Sequence, residues 1–250
     1  MSVLAIIPAR GGSKSLPRKN VRLLGGHPLL AYSIAAGLEA RQVERVLVST
    51  DDEEIAHIAR RYGAEVPFLR PEALAQDDTL DLPVFQHALQ WLEEEEGYRP
   101  EIVVQLRPTS PLRPPECVDR GIDILNAHAE ADSVRAVVPS SQNPYKMWRI
   151  SPDGRLHPLL SDGEGEAYNT PRQLLPPTYW QTGHLDVIRA ATIREKKSMT
   201  GEAVLPLLMD PAYAVDIDRP ADHDRAEELL RRGGLRVVRP ARTNQGSAPA

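Results

Sequence analysis

Short apolar segments alternate with amphipathic helical patterns over the first 138 residues of the chain. Strands are predicted at 3–7, 43–49, 65–68, 102–106 and 133–138, and helices at 28–41, 51–63, 80–96 and 115–127. Strands that alternate with helices form parallel sheets whose two faces are covered by those helices. The pattern therefore predicts an α/β fold, a three-layer αβα Rossmann-like domain with a mainly parallel sheet.

The loops that leave these strands define the expected ligand site. In open parallel sheets, ligands bind beyond the carboxyl ends of the strands. The loops predicted at those ends are 8–20, 50–52, 69–79 and 107–113. We expect them to converge on one cleft.

The alternation stops at Pro139, where the chain becomes rich in Ser, Pro, Gly and Asn. We interpret the segment that follows as an inserted arm with two extended pieces, at 146–150 and 156–160, that builds a dimer contact. The sheet is expected to resume with strands at 185–188 and 213–215 and a last helix at 220–232. The predicted boundaries are 1–138 and 181–239 for the α/β domain, 139–180 for the arm and 240–250 for a disordered tail.

The loop after the first strand combines two adjacent glycines with four cations, Arg10, Lys14, Arg18 and Lys19. Gly11 and Gly12 let the backbone turn tightly and present N–H groups, while the cations supply positive charge. This combination suits a polyanion such as a nucleoside triphosphate. The loop matches neither the Walker A sequence nor the dinucleotide-binding glycine motif. The alternative interpretation is a basic surface turn.

A pair of carboxylates, Asp216 and Asp218, follows a predicted strand near the end of the chain. Residues i and i+2 of an extended chain face the same way, so both carboxylates are expected to point together while Ile217 faces the core. Like charges this close repel unless a cation lies between them, and Mg²⁺ prefers carboxylate oxygens together with substrate phosphates. The pair therefore predicts a Mg²⁺ site. The alternative is that Asp218 or Asp222 caps the following helix.

Composition limits the classes of partner. The net charge is −5, so the basic loop is a local feature and no nucleic-acid partner is expected. The chain carries a single cysteine, Cys117, and shows neither a leader pattern nor an apolar run of membrane-spanning length. We therefore expect a cytoplasmic protein with no membrane partner.

With these elements in place, the chain resembles the acylneuraminate cytidylyltransferase family over roughly residues 3–232. The opening motif of the family appears here as Ile-Pro-Ala-Arg-Gly-Gly-Ser-Lys at 7–14, closing with Lys19-Asn20. The further matching segments are, in order, 49–51, Arg70-Pro71, Asp78-Thr79, 108–113, 171–173 and 216–218. The resemblance implies that a sugar acid is activated with CTP, that pyrophosphate is released, and that the enzyme is a Mg²⁺-dependent homodimer.

The resemblance also implies roles for individual residues. The catalytic set would be Lys19, Arg10, Asp216 and Asp218, with both aspartates as metal ligands. The nucleotide-binding set would be Ala9, Arg10, Gly11, Gly12, Ser13, Lys14, Lys19, Arg70, Asp78 and Thr79. The sugar-binding set would be Arg107, Thr109, Ser110, Lys146, Arg172, Gln173 and Thr182, with Lys146 and Arg172 reaching the site at least partly from a partner subunit.

The chain departs from the family pattern in the segments that line the sugar pocket of the family. Arg107 stands where relatives often have glutamine, and the segment from Trp180 to Asp186 stands where they commonly have Arg-Pro-Asn-Gly-Ala-Ile-Tyr. A site built from hydrogen bonds discriminates steeply between acceptors. We therefore expect a nine-carbon sugar acid other than N-acetylneuraminate, with legionaminate as the leading candidate.

Two other functions remain open on the sequence. One is a nucleotidyltransferase of the same fold that uses another nucleotide or acceptor. The other is a nucleotide-binding module without catalytic activity, although the presence of Lys19 and of both aspartates argues against it.

Overall fold

The computed structural model describes residues 1–14, 16–160 and 165–242. In this part of the chain the strands β1 to β10 are Val3–Pro8, Leu23–Leu24, His27–Pro28, Arg45–Ser49, Ile102–Gln105, Ser133–Pro139, Trp148–Ile150, Leu156–Pro158, Tyr179–Arg189 and Val204–Leu208. The α-helices α1 to α6 are Leu29–Glu39, Glu53–Arg61, Asp81–Glu96, Cys117–Ala127, Ala190–Arg194 and Pro220–Arg232.

The main sheet has the strand order β10-β6-β9-β5-β1-β4. β1 pairs in parallel with β4 and β5, and β10 pairs in parallel with β6. β9 lies between β5 and β6 and runs antiparallel to both. The prediction of an α/β fold with a mainly parallel sheet is therefore confirmed.

Two of the predicted strands are wrong. Segment 65–68 makes only an isolated bridge, between Leu47 and Glu65, because Pro67 has no N–H with which to continue the ladder. Segment 213–215 is not a strand either: Pro211 opens a 3-10 turn, Pro211–Tyr213, whose N-cap is Asp210. The sheet ends instead with β10, so the carboxylate pair follows a turn and not a strand.

The two faces of the sheet carry separate apolar layers. Side chains of β1 alternate between them: Ala5 and Ile7 join the layer that contains residues of α1, α2 and α4, whereas Leu4 and Ile6 join the layer under α3 and α5. Because both faces are covered, the strand is apolar at every position, as parallel strands usually are. This arrangement is the expected three-layer αβα architecture.

A third apolar cluster attaches α6 to the side of the domain. Ala226 of α6 packs with Leu24 and Tyr32, and the same cluster buries Val215 and Ile217 completely or nearly so. Burial of Ile217 anchors the short segment that carries Asp216 and Asp218.

The arm contains an antiparallel hairpin made by β7 and β8. Its apolar side chains are exposed, with Ile150 at 75% and Leu156 at 59%, while the rings of Trp148 and Tyr168 contact each other at a centroid distance of 4.5 Å and an interplanar angle of 52°. β9 begins at Tyr179, so the arm continues directly into the centre of the main sheet. Residues 161–164 of the arm, and 243–250 of the tail expected to be disordered, lie outside the described residues.

Within the described ranges, no helix is both long enough and apolar enough to cross a membrane.

Candidate active site

A cleft of about 620 Å³ opens at the carboxyl ends of β1 and β5. Loops 8–20, 69–79 and 107–113 contribute to its lining, as predicted. Loop 50–52, which was also expected there, does not line the cleft and instead contacts the first loop through Asp51 and Asp52. The predicted site residues that line it are Arg10, Ser13, Lys14, Lys19, Arg70, Thr79, Arg107, Thr109 and Asp218. The lining residues that the sequence prediction did not include are Pro8, Asn20, Leu74, Gln76, Asp77, Asp81, Val84 and Pro108.

The cations of the first loop are paired with carboxylates from elsewhere in the chain. Asp77 binds two of them: Arg10, whose Nη1 lies 2.7 Å from Oδ1, and Lys14, which contacts Oδ2. These two cations hold the pKa of the Asp77 carboxyl below its usual value. Lys19 Nζ lies 2.9 Å from Asp218 Oδ1. The positive charges of Arg10, Lys14 and Lys19 are therefore partly balanced by neighbouring carboxylates.

Gly11 has a steric role that the sequence prediction did not include. Its N–H donates to Asp51 Oδ1 at 3.0 Å, and a Cβ at this position would lie 2.7 Å from Asp52 Oδ2. Asp52 in turn caps α2 by accepting from the N–H of Ile55 and pairs with Arg18 at 2.6 Å. Gly11 thus allows loop 50–52 to pack against the first loop, and its amide is used for that contact.

Arg70 is buried at the end of β4. Its Nε donates to Ser49 Oγ at 3.0 Å, and its Nη2 donates to the Ser49 carbonyl oxygen. Burial lowers the pKa of Arg70 to about 10, which leaves the side chain charged at neutral pH. These contacts hold the guanidinium rigidly in the wall of the cleft.

Arg107 lies between two carboxylates. Its Nη2 is 2.8 Å from Asp81 Oδ2 and its Nη1 is 2.9 Å from Asp186 Oδ2, and Asp186 also binds Arg135 Nε at 2.6 Å. Burial alone would lower the pKa of Arg107, but the charges of Asp186 and Asp81 outweigh burial and raise it. The result is a row of alternating charges that runs from the cleft across β9 to β6.

Arg113 organises loop 107–113 from inside the protein. It is fully buried, and it donates to the carbonyl oxygens of His184 and Arg107, each at 2.7 Å, and to Ser33 Oγ at 3.0 Å. His184 Nε2 lies 3.1 Å from the carbonyl oxygen of Leu112, and burial lowers the pKa of His184 to about 4, so the ring is neutral. In the sequence, the only indication of this structural role is that Arg113 belongs to the 108–113 motif.

The carboxylate pair meets the cleft through Thr109. The N–H of Ile217 donates to the carbonyl oxygen of Thr109 at 2.7 Å, which ties the pair to loop 107–113. Asp216 Oδ1 is buried without a hydrogen-bond partner, whereas the Asp218 side chain is 61% exposed. No group of three or more His, Cys, Asp or Glu side chains that could hold a metal occurs in the part of the chain that the structure describes. Two carboxylates fit Mg²⁺, which typically takes one or two of them and completes its shell with water and phosphate oxygens.

Other predicted site residues lie outside the cleft lining: Ala9, Gly11, Gly12, Asp78, Ser110, Thr182 and Asp216. Ser110 is fully buried against Gly183, where a Cβ would approach Ser110 Oγ to 2.5 Å. Arg172 and Gln173 line a separate cavity of about 550 Å³ at the base of the arm, and Lys146 Nζ donates to the Tyr168 carbonyl oxygen at 3.0 Å. Within one chain these arm residues therefore do not join the cleft.

Comparison with known proteins identifies relatives along nearly the whole chain. A CMP-N,N'-diacetyllegionaminic acid synthase of Legionella pneumophila is 36% identical over 92% of this chain and 97% of its own length. A synthase of the same name from Campylobacter jejuni is 31% identical over 91% of this chain and 94% of its own. An N-acylneuraminate cytidylyltransferase of Escherichia coli O18:K1:H7 is 32% identical over 90% of this chain and 51% of its own length.

Solved structures support the same architecture. The CMP:2-keto-3-deoxy-manno-octonic acid synthetase complexed with CTP superimposes with a TM-score of 0.67, covering 93% of this chain and 99% of that chain at 14% identity. At that identity the likeness shows the fold alone. A family model described as "Cytidylyltransferase" matches residues 4–150. Together with the full-length relatives, this match shows that the chain belongs to the cytidylyltransferase family and is a nucleotidyltransferase.

Proposed function

We propose that the protein transfers a cytidylyl group from CTP to the anomeric hydroxyl of a 2-keto-3-deoxy sugar acid and releases pyrophosphate. The observation that carries this proposal is the contact between Lys19 and Asp218. It brings the cationic loop after β1 and Asp218 of the carboxylate pair into the same cleft. A polyphosphate held by the loop would therefore have its phosphates next to the carboxylate pair.

The chemistry follows from the charges in the cleft. The anomeric hydroxyl oxygen of the acceptor attacks the α-phosphorus of CTP and its proton passes to solvent, the bond from the α-phosphorus to the β-phosphate oxygen breaks, and pyrophosphate leaves. Arg10, Lys14 and Lys19 would neutralise charge on the phosphates and hold them in line with the acceptor. Catalysis of phosphoryl and nucleotidyl transfer depends mainly on such positioning and charge stabilisation.

Mg²⁺ is part of the proposal. Asp216 and Asp218 would hold it, and Asp216 Oδ1, which is buried without a hydrogen-bond partner, would be available to the ion. When bound, the ion would supply positive charge next to the phosphate oxygens. Lys19 would then be released from Asp218 to contact phosphate.

The proposed acceptor is a nonulosonic acid, with N,N'-diacetyllegionaminic acid as the first choice. The names of the Legionella and Campylobacter relatives support this choice. The ion pair between Arg107 and Asp186 also supports an acceptor other than N-acetylneuraminate, because both residues stand where the chain departs from the sialic acid pattern. Arg107, Thr109 and Ser110 would contact the sugar acid or shape its subsite, and Thr182 would do so from β9.

We also propose that the active protein is a homodimer. The exposed apolar surface of the arm hairpin supports this, since monomers rarely leave several large apolar side chains uncovered on one element. Lys146, Arg172 and Gln173, which lie away from the cleft of their own chain, would reach the cleft of the partner. A cytoplasmic location is part of the same proposal, and the buried Cys117, which forms no disulfide, fits a reducing compartment.

The direct test is pyrophosphate release from CTP and Mg²⁺ with legionaminate, N-acetylneuraminate, pseudaminate and Kdo in parallel, repeated with UTP, GTP and ATP. We expect release with CTP and a nonulosonic acid. Absence of release with every pair would contradict the proposed function. A kcat/KM for N-acetylneuraminate about tenfold above every other acceptor, roughly 1.4 kcal/mol in transition-state binding, would contradict the proposed acceptor.

A further inference from the structure

Asp81, the first residue of α3, lines the cleft, and within the described part of the chain only one of its two carboxylate oxygens is hydrogen-bonded. Its Oδ2 accepts two hydrogen bonds, from Gln105 Nε2 and from Arg107 Nη2, each at 2.8 Å. Its Oδ1 has no partner among the described residues, and the side chain is 37% exposed. Two donors on one oxygen fix the plane of the carboxylate, so Oδ1 is a preorganised hydrogen-bond acceptor.

The cleft lining has two chemically different parts. The part formed by the first loop, its phosphate end, carries Arg10, Lys14 and Lys19 and suits phosphates. The lining also contains two apolar side chains, Leu74 and Val84. Apolar walls with a few fixed polar groups suit a nucleobase.

Three polar side chains of the lining are neighbours of these apolar residues in space or along the chain. Arg70 Nη1 lies 3.5 Å from the Leu74 carbonyl oxygen, Asp81 lies one turn before Val84 on α3, and Thr79 lies two residues before Asp81. Arg70 can only donate, and Thr79 can donate or accept. Asp81 is the group that can only accept while it is ionised. It therefore favours a base that presents a hydrogen-bond donor and disfavours one that presents a carbonyl oxygen at the same position.

We infer that Asp81 is a specificity-determining residue whose Oδ1 accepts a hydrogen bond from the exocyclic amino group of cytosine. Cytosine carries this donor where uracil carries a carbonyl oxygen, and carboxylates are suitable partners for it. A buried or partly buried carboxylate facing the uracil carbonyl would leave two acceptors opposed. This inference rests on the proposed function, because it assumes that CTP occupies the cleft.

The test compares CTP with UTP in the wild type and in Asp81→Asn. Each nucleotide is titrated with Mg²⁺ into the full chain by calorimetry without acceptor, and kcat/KM is then measured with a working acceptor. The amide of asparagine can donate to uracil as well as accept from cytosine. We therefore expect the ratio of CTP to UTP affinity to fall at least tenfold, partly through tighter UTP binding. Asp81→Ser gives the same readout if Asp81→Asn folds poorly.

Asp77→Asn is the matched control, since it removes the same charge from the phosphate end of the cleft. It should change the affinity for both nucleotides by the same factor and leave their ratio as in the wild type. The inference would be overturned if Asp81→Asn and Asp81→Ser both kept the wild-type ratio of CTP to UTP affinity while the protein still preferred CTP. The proposed function would then remain intact. A higher KM for the acceptor, with that ratio unchanged, would show that Asp81 only positions Arg107. Equal binding of CTP and UTP by the wild type would overturn both proposals.

Discussion

Arg107 and Asp186 form an ion pair, with Nη1 of the arginine 2.9 Å from Oδ2 of the aspartate. Each residue stands where the sequence leaves the sialic acid pattern. The Asp186 side chain is only 2% exposed, so its charge needs cations nearby, and Arg107 is one of the two that pair with it. The two departures are therefore one coupled feature.

Coupling between these residues predicts non-additive mutations. Arg107→Gln and Asp186→Asn should each lower the free energy of unfolding and raise KM for the acceptor, because each removes one of the two ion pairs that its partner makes. The double variant should be less damaged than the sum of the singles, with a coupling energy of about 0.5–3 kcal/mol. Urea denaturation of the four proteins measures the cycle. Strict additivity would contradict the coupling.

Removal of a charge from the carboxylate pair should abolish most turnover. Asp216→Asn or Asp218→Asn should lower kcat by orders of magnitude while leaving the melting temperature nearly unchanged, because each weakens the proposed Mg²⁺ site. Calorimetric titration with Mg²⁺ and CTP should show weaker metal-dependent binding. Asp224→Asn, an exposed position on α6, is the control and should stay within about twofold of wild type. Near wild-type activity of Asp218→Asn at saturating Mg²⁺ would remove the metal role.

Asp77 should compete with the nucleotide. Its carboxylate contacts Arg10 and Lys14, two cations that the triphosphate needs. Asp77→Asn should therefore lower KM for CTP several-fold with little change in kcat. Loss of a residue that contacts CTP directly would raise KM instead. Glu72→Gln, which removes a charge from the same loop, is the control and should have no such effect. A higher KM in Asp77→Asn would show that Asp77 helps to bind CTP.

Exchange of subunits can test whether the arm acts in the cleft of the partner. If Arg172 acts in the cleft of the partner, a chain with Arg172→Ala and a chain with Lys19→Ala should each be inactive alone. Their mixture should regain part of the activity, because one cleft of each heterodimer then has both residues intact. Native mass spectrometry verifies that subunits exchange. Complete exchange without recovery would place Arg172 in its own chain.

Asp132 predicts a pH dependence of stability. It accepts from Lys196 Nζ and from the N–H groups of Glu202 and Ala203, and these contacts, that of Lys196 first, lower its pKa from 3.8 to about 2. A lowered pKa in the folded state stabilises the protein above the unfolded value, and this contribution is lost as the pH falls toward 2. Wild type should therefore exceed Asp132→Asn in urea midpoint at pH 7, and the gap should narrow between pH 4 and 2. A gap independent of pH would contradict the assignment.

Patterns of neighbouring residues predict the strands and helices whose formation depends on those neighbours. The strand that ends at Pro8 and the helix capped by Asp52 follow from apolar periodicity and capping residues. Pro67 and Pro211 explain the two strands predicted wrongly, since each removes a backbone donor where the apolar pattern continues. The place of β9 between β5 and β6 depends on long-range pairing, for which the segment itself carries no signal.

The same distinction between local and long-range interactions applies to the residues of the cleft. Arg10 and Lys19 could be predicted because cations beside Gly11 and Gly12 indicate phosphate binding. Asp77 and Asp81 escaped prediction because their significance lies in partners that are distant in sequence, Arg10 for the first and Arg107 for the second. A pattern of neighbouring residues does not contain such pairings.

β9 connects the arm to the residue that pairs with Arg107. It starts at Tyr179, where the arm ends, and includes Asp186. Its pairing with β6 shifts register between these two residues, so Tyr179 lies opposite Pro139 and Asp186 opposite Arg135, four residues or about 13 Å apart along β6. A protein that docks on the arm would contact the same strand that positions the Arg107 guanidinium. Subunit contact and sugar selection would then be constrained together, and a mutation that adjusts one would have to be tolerated by the other.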